Sequence, residues 1–286
     1  MPYAFQPGDA TIRAAFRRIA VEQSGHAIAA LSVSGPNRAA RVHEARKAIK
    51  KLRALLRLFR PAFPRFRREN RALRDIGRGL APLRDADVTT GLLADLAAET
   101  GLPVPDLPPG AAPLTPAEVE TRLQTAIAGL KALRQRARGW KLDAQGFEAL
   151  ERGLARSWDD GRKALKRARR HGTPEAIHEL RKRLKDHWYH ARLLAPAWPA
   201  MIGLHRQLAG DLGEALGRHQ DLAMLEPVLG NLPNLRPLLA LARQQRGAIL
   251  ADALPQATRL YAEPGAALAA RWRKYWKAAD PALPRV

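Results

Sequence analysis

The chain has 286 residues, 46% of them apolar and 27% charged, and no cysteine, which excludes disulfides and thiolate chemistry and places it among globular rather than disordered chains. Its 49 basic residues against 27 acidic ones leave a net charge of +22, and segments divided after Asp143 carry +12 and +10. A field spread in this way favours polyanions (nucleic acid, polyphosphate or an anionic membrane) and excludes a simple charged tail as its source.

Asp9 or Thr11 caps a first predicted helix that runs to about Leu31, with Ile12, Ala15, Phe16 and Ile19 on its apolar side and Arg13 and Arg17 one turn apart. Ser34-Gly35-Pro36 is a break, and a second helix starts near Asn37 and contains Val42–Arg60. Pro61–Pro64 turns the chain into a third predicted helix from about Phe66 to Thr100, kinked near Pro82 where Gly77, Gly79 and Pro82 weaken it. The prolines at 103, 105, 108, 109 and 113 make a loop. Thr115-Pro116-Ala117-Glu118 is a capping sequence that opens a fourth helix ending near Arg138-Gly139. Asp143 is expected to cap a fifth, about Ala144–Arg170, and Thr173-Pro174 opens a sixth. A seventh is expected over about Pro199–Leu229, with Gly210, Gly213 and Gly217 in its middle. An eighth follows Pro233-Asn234 and runs to about Leu254, and a short ninth covers about Gly265–Ala278. No stretch alternates as a strand. The expected fold class is therefore all-α.

The second helix carries the dominant pattern. At about 100° per residue, His43, Arg46, Lys47, Lys50 and Arg57 share one stripe, with Val42, Ala45, Ile49, Leu52, Leu56 and Phe59 roughly opposite. The same five residue classes recur 135 positions later as His178, Arg181, Lys182, Lys185 and Arg192, with Ile177, Leu180, Leu184 and Leu194 on the apolar side. Pro-Ala-aromatic-Pro follows each copy, at Pro61–Pro64 and Pro196–Pro199. One basic stripe is ordinarily a solvated face. Two in register, each led by histidine, point to a shared anionic ligand. A second echo sets Leu80–Asp85 against Leu216–Asp221 at an offset of 136. The helix count, the mostly short loops and these repeats predict two fused four-helix bundles, at 1–142 and 143–286, related by internal duplication with a pseudo-twofold.

This HxxRKxxK…R pattern, present twice in an all-helical chain, resembles the CHAD family (conserved histidine α-helical domain) over nearly the whole length, in its stand-alone form. The resemblance implies two related bundles whose basic surfaces bind inorganic polyphosphate without catalysis, and association with polyphosphate granules in the cytoplasm. The ten stripe residues are the first candidates for polyphosphate contact. Arg53, Arg84, Arg13, Arg17 and His219 form a second group. Arg84-Asp85-Ala86-Asp87-Val88 resembles the family's RDxDV segment, whereas His219-Gln220-Asp221-Leu222-Ala223 departs from it. Its aspartates either touch ligand or hold a neighbouring Arg or His from the basic helix.

Other chemistries fit less well. Glu44 and Glu179 point about 100° away from the neighbouring histidines. His187 and His190 have the spacing of a metal pair, but His187 takes the position of apolar Leu52 and reads as a packed core residue. No phosphate-binding Gly-rich loop, GxSxG or HExxH is present. No cofactor, metal or catalytic residue is expected. The runner-up is single-stranded RNA or DNA binding on the same surface, with nonspecific nucleic-acid binding expected at low salt. No helix-turn-helix, zinc-finger or RRM signature supports it. The first ten residues lack a signal peptide's apolar centre, and no run approaches the roughly 20 apolar residues of a membrane span. A cytoplasmic protein without a membrane partner is expected.

Overall fold

The structure, a computed structural model, describes residues 3–33, 35, 37–83, 93–94, 96–99, 101, 114–230 and 235–279. The protein is all-α, with no strand among the described residues. The helices described are α1 (Ile12–Ser32), α2 (Arg38–Leu58), α3 (Phe66–Gly79), α4 (Pro116–Ala137), α5 (Glu148–His171), α6 (Pro174–Leu194), α7 (Pro199–Gly230), α8 (Arg236–Leu260) and α9 (Gly265–Ala278).

Local chemistry accounts for three of the helix starts. The Thr11 hydroxyl accepts from the Ala14 N–H at the head of α1, while Asp9, the other candidate cap, is instead paired with Arg18 at 2.6 Å. Thr115 and Glu118 form the reciprocal capping box of α4. Thr173 caps α6, with proline next to it.

Three expected boundaries are corrected. The third helix does not continue towards Thr100 as one piece: α3 stops at Gly79, and a short 3-10 turn, Ala81–Leu83, follows. Pro82 lacks the N–H that would have continued the ladder. The fifth helix begins at Glu148 rather than Ala144, because Asp143 is drawn into a tertiary bond, its N–H donating to the Ala62 carbonyl at 2.9 Å. The eighth passes through Pro255 to Leu260, where Ala253, Ala257 and Leu260 are buried and packing carries the helix past the lost bond. Arg84, Asp85 and Asp87 lie outside the described residues.

In the N-terminal half α1 packs on α2, α2 on α3, α3 on α4 and α4 back on α1. In the C-terminal half α5, α6, α7 and α8 meet in the same cyclic order, and α9 is added against α5. One apolar core runs through both sets, because α2 packs against both α5 and α6. Tyr3 and Phe5, near the start of the chain, reinforce that junction. The Tyr3 hydroxyl donates to the Lys51 carbonyl at 2.8 Å, the Phe5 N–H donates to Leu193 O, and the Phe5 ring sits 5.3 Å from that of Trp276. A smaller cluster joins Leu93 and Leu96 to Leu222, Leu225 and Leu229 of α7 and Leu238 of α8. Contacts thus cross position 142 in both directions.

Gly153 sets how closely α5 approaches α2, since a Cβ there would overlap the Leu58 carbonyl oxygen. Glycine to alanine in a helix ordinarily stabilises by up to about 1 kcal/mol. Here the backbone contact reverses the sign. Gly153→Ala is expected to cost at least about 2 kcal/mol in urea denaturation, and an unchanged or raised midpoint would refute this close approach.

Candidate functional site

Stripe residues of α2 and α6 lie at one junction. The His190 Nε2 lies 2.9 Å from the Ala54 carbonyl, and because that oxygen can only accept, Nε2 carries the proton. Arg57 Nη1 donates to Asp186 at 2.7 Å, and Asp186 also pairs with Arg183 at 3.0 Å. Lys50 and His178, from different copies, lie within electrostatic reach: His178 is held below its ordinary pKa by partial desolvation, then Lys182 and Arg181, with Lys50 adding to the effect. Lys51 is likewise drawn below its ordinary value by burial, then by Arg192 and Lys47.

The candidates divide by what holds them. Lys47 and Lys182 are exposed, each paired one turn back with a glutamate, Glu44 and Glu179, while Lys50 and His178 are also exposed. Surface pairs of this i,i+3 kind are weak and easily exchanged for a ligand anion. His43 is half-buried. Arg46 and Arg181 reach sideways to backbone carbonyls of the following segment, Arg46 to Ala81 at 3.4 Å and Arg181 to Gly213 at 3.2 Å. The glycines of α7 make room for this. A Cβ at Gly217 would lie 2.7 Å from the Arg181 guanidinium, one at Gly213 2.9 Å from the Lys185 stem, and one at Gly210 3.1 Å from the Trp188 ring. They do not weaken α7, which is continuous over the whole span. Lys185 and Arg192 lie over Trp188, 5.3 and 5.8 Å from its ring centre, and Lys185 is 3.9 Å from Glu214.

The second group is mostly structural. Arg53 contacts Asn70 at 3.2 Å and is pushed down to about 10 by burial and by Arg57. Arg17 donates to the Trp140 carbonyl at 2.6 Å, tying α1 to the end of the N-terminal half. His219 is fully buried, 3.4 Å from Arg246, and burial holds it down at about 4. It faces the interior rather than a ligand. Arg13 is exposed on α1. Arg84 is outside the described residues.

A pocket of about 510 Å³ opens at the start of α6, lined by His178, Lys182, Arg167, His171 and Thr173. Sequence reasoning overlooked Arg183 and Asp186. The signal was present: at the offset of 135, Lys51 falls on Asp186, a reversal of charge inside an otherwise repeated pattern. His187 is buried, as its apolar register implied, 3.2 Å from His205 and ringed by Trp158 and Trp272. Among the described residues no group of three or more His, Cys, Asp or Glu side chains could hold a metal ion, and no helix is long and apolar enough to cross a membrane.

Two outcomes follow. Asp186→Asn leaves Arg57 and Arg183 without their common counter-charge and is expected to cost about 3 kcal/mol in urea denaturation. A loss below about 0.5 kcal/mol would mean the pair is dispensable. Burial places the folded pKa values of His190, His205 and His219 at about 4, against 6.5 for a free imidazole. The folded state disfavours their protonation, so stability is complete above 6.5 and is lost as pH falls towards 4. Melting temperature should fall across that window, and a flat profile would contradict it.

The family model described as CHAD domain matches residues 11–230. No curated protein and no solved structure matches the chain.

Proposed function

Because the chain belongs to the CHAD domain family, we propose that it binds inorganic polyphosphate, without catalysis, along the paired basic faces of α2 and α6. The observation that carries this reading is the approach of like charges from the two copies. α2 packs on α6, which brings Arg192 near Lys51, where it adds to burial in lowering the ammonium, and Lys50 near enough to His178 to make a small contribution there. A fold keeps cations against one another at a cost that a bound polyanion relieves. Arg46 and Arg181 are anchored by carbonyls, and Lys185 by its stem, so the polymer meets partly fixed donors. Exposed Lys47, Lys50, Lys182 and His178 supply the mobile charge.

Inorganic polyphosphate suits this surface better than single-stranded nucleic acid. Of the two aromatics within the second stripe, Tyr189 is buried and Trp188 packs towards Gly210 with Lys185 and Arg192 near its ring, so there is no run of open rings on which successive bases could stack. By the same affinity the protein would gather on polyphosphate granules. It acts as a binding module, and polyphosphate incubated with protein and magnesium should keep its chain length.

The test uses exposed side chains of the two helices. Lys50→Glu with Lys182→Glu is expected to weaken long-chain polyphosphate binding at least tenfold at physiological salt, to reduce the salt dependence, and to leave melting temperature within about 3 °C. In competition, polyphosphate should displace a single-stranded oligonucleotide at lower phosphate concentration than the reverse. Unchanged polymer affinity in the double variant would overturn the assignment, and the opposite order of competition would favour nucleic acid.

A further inference from the structure

A second basic feature lies where α2, α3, α5 and α6 meet, and it is not part of the duplicated pattern. A pocket of about 230 Å³ is lined by Arg57 and Arg60 at the end of α2, Asn70 of α3, Arg156 and Ser157 of α5, and Arg183 of α6. Asp160 is the carboxylate in that lining. Just beneath, the buried carboxylate of Asp186 answers Arg57 and Arg183 together, and Glu179 reaches Arg183 at 3.0 Å. That leaves Arg60 and Arg156 facing Asp160 alone within the lining, so the pocket keeps an excess of positive charge.

The crowding has consequences at each group. Arg60 is held below its ordinary pKa by desolvation and then by Arg156, with Asp160 opposing. Half-buried Arg53, just outside, is lowered by burial and by Arg57, with Arg183 adding to it. Arg60 is also fixed in place, its guanidinium 5.0 Å from the centre of the Phe66 ring. Stacking on a ring face leaves the N–H edge of the fork directed outward, the geometry that grips a tetrahedral oxyanion. The Asn70 amide and the Ser157 hydroxyl add neutral donors.

The pocket belongs to one side of the molecule only. At the offset of 135 that relates α2 to α6, Arg60 falls on Ala195 and Arg183 on Ala48. Arg57 is the one residue it shares with the duplicated stripe. A polymer site built by duplication does not require it.

We propose that this seam pocket is a separate site for a compact, multiply charged phosphate of pyrophosphate size, bound between Arg60, Arg156 and Arg57. Guanidinium groups from both halves favour an anion with several oxygens over a halide. Occupancy joins α2 to α5 and therefore stabilises the fold. The inference stands apart from the polymer reading, because the two rest on different side chains apart from Arg57.

Thermal shift and calorimetric titration of the full chain with pyrophosphate at physiological salt test it. The expected result is saturable binding at one site, with affinity reduced at least tenfold in Arg60→Ala with Arg156→Ala. Lys50→Glu with Lys182→Glu should keep the pyrophosphate response while losing the polymer. A measurement on the unaltered protein guards against a folding defect in the variant: pyrophosphate should protect Arg60 and Arg156 from phenylglyoxal, read by mass spectrometry. The proposal is overturned if pyrophosphate gives no saturable response, if the arginine variant binds it normally, or if both arginines are modified at the same rate with and without it.

Discussion

The contact between Arg57 and the buried carboxylate of Asp186 joins the two halves of the chain, and the candidate surface is arranged around it. Repetition alone would have placed like charges against each other wherever α2 meets α6. At this contact the chain departs from repetition, Lys51 in the first copy becoming Asp186 in the second. Arg57 then finds an anion, whereas its counterpart Arg192 finds Lys51 and depresses it. One junction is closed by an ion pair and the other is left cationic. A buried pair is weak evidence for stability but well suited to fixing a unique register between packed elements, and here register decides which cations stand together.

That asymmetry gives the basic residues different work. Arg57, Arg53 and Arg17 tie separate segments together, while Arg183 pairs with Glu179 and Asp186 within α6. Arg46, Arg181 and Lys185 are partly anchored on backbone or glycine and still contribute charge to the surface. Lys47, Lys50 and Lys182 remain largely solvated. An extended anion laid on this face would meet a graded surface, with guanidinium donors at its base and ammonium groups at its edge. Long Lys side chains lose more freedom on binding than guanidiniums already held in place. In the proposed complex the anchored residues would set direction, and the exposed lysines would mainly add salt-sensitive attraction.

Much of this was legible from residue order. Thr115 and Glu118, three apart, could be read as a cap because every group involved lies within one turn. His187 could be read as a core residue because its register matches Leu52. The misreadings share a cause. Asp143 looked like a cap until its N–H met Ala62, α8 was expected to end at about Leu254 until burial carried it past Pro255, and His219 looked open to a ligand until the structure placed it in the interior beside Arg246. In each case a long-range partner outweighed a local preference.

The sequence by itself determined most of the helices and the recurrence of a histidine-led basic stripe at an offset of 135, because helical periodicity fixes the direction of each side chain about its own axis. Only the tertiary structure decided what stands opposite each side chain. It set Asp186 against Arg57, Lys50 near His178, glycines beneath Arg181 and Lys185, and four arginines around one pocket at the seam. Charge neutralisation depends on separations of a few ångströms between residues more than a hundred positions apart, and no local periodicity encodes that distance.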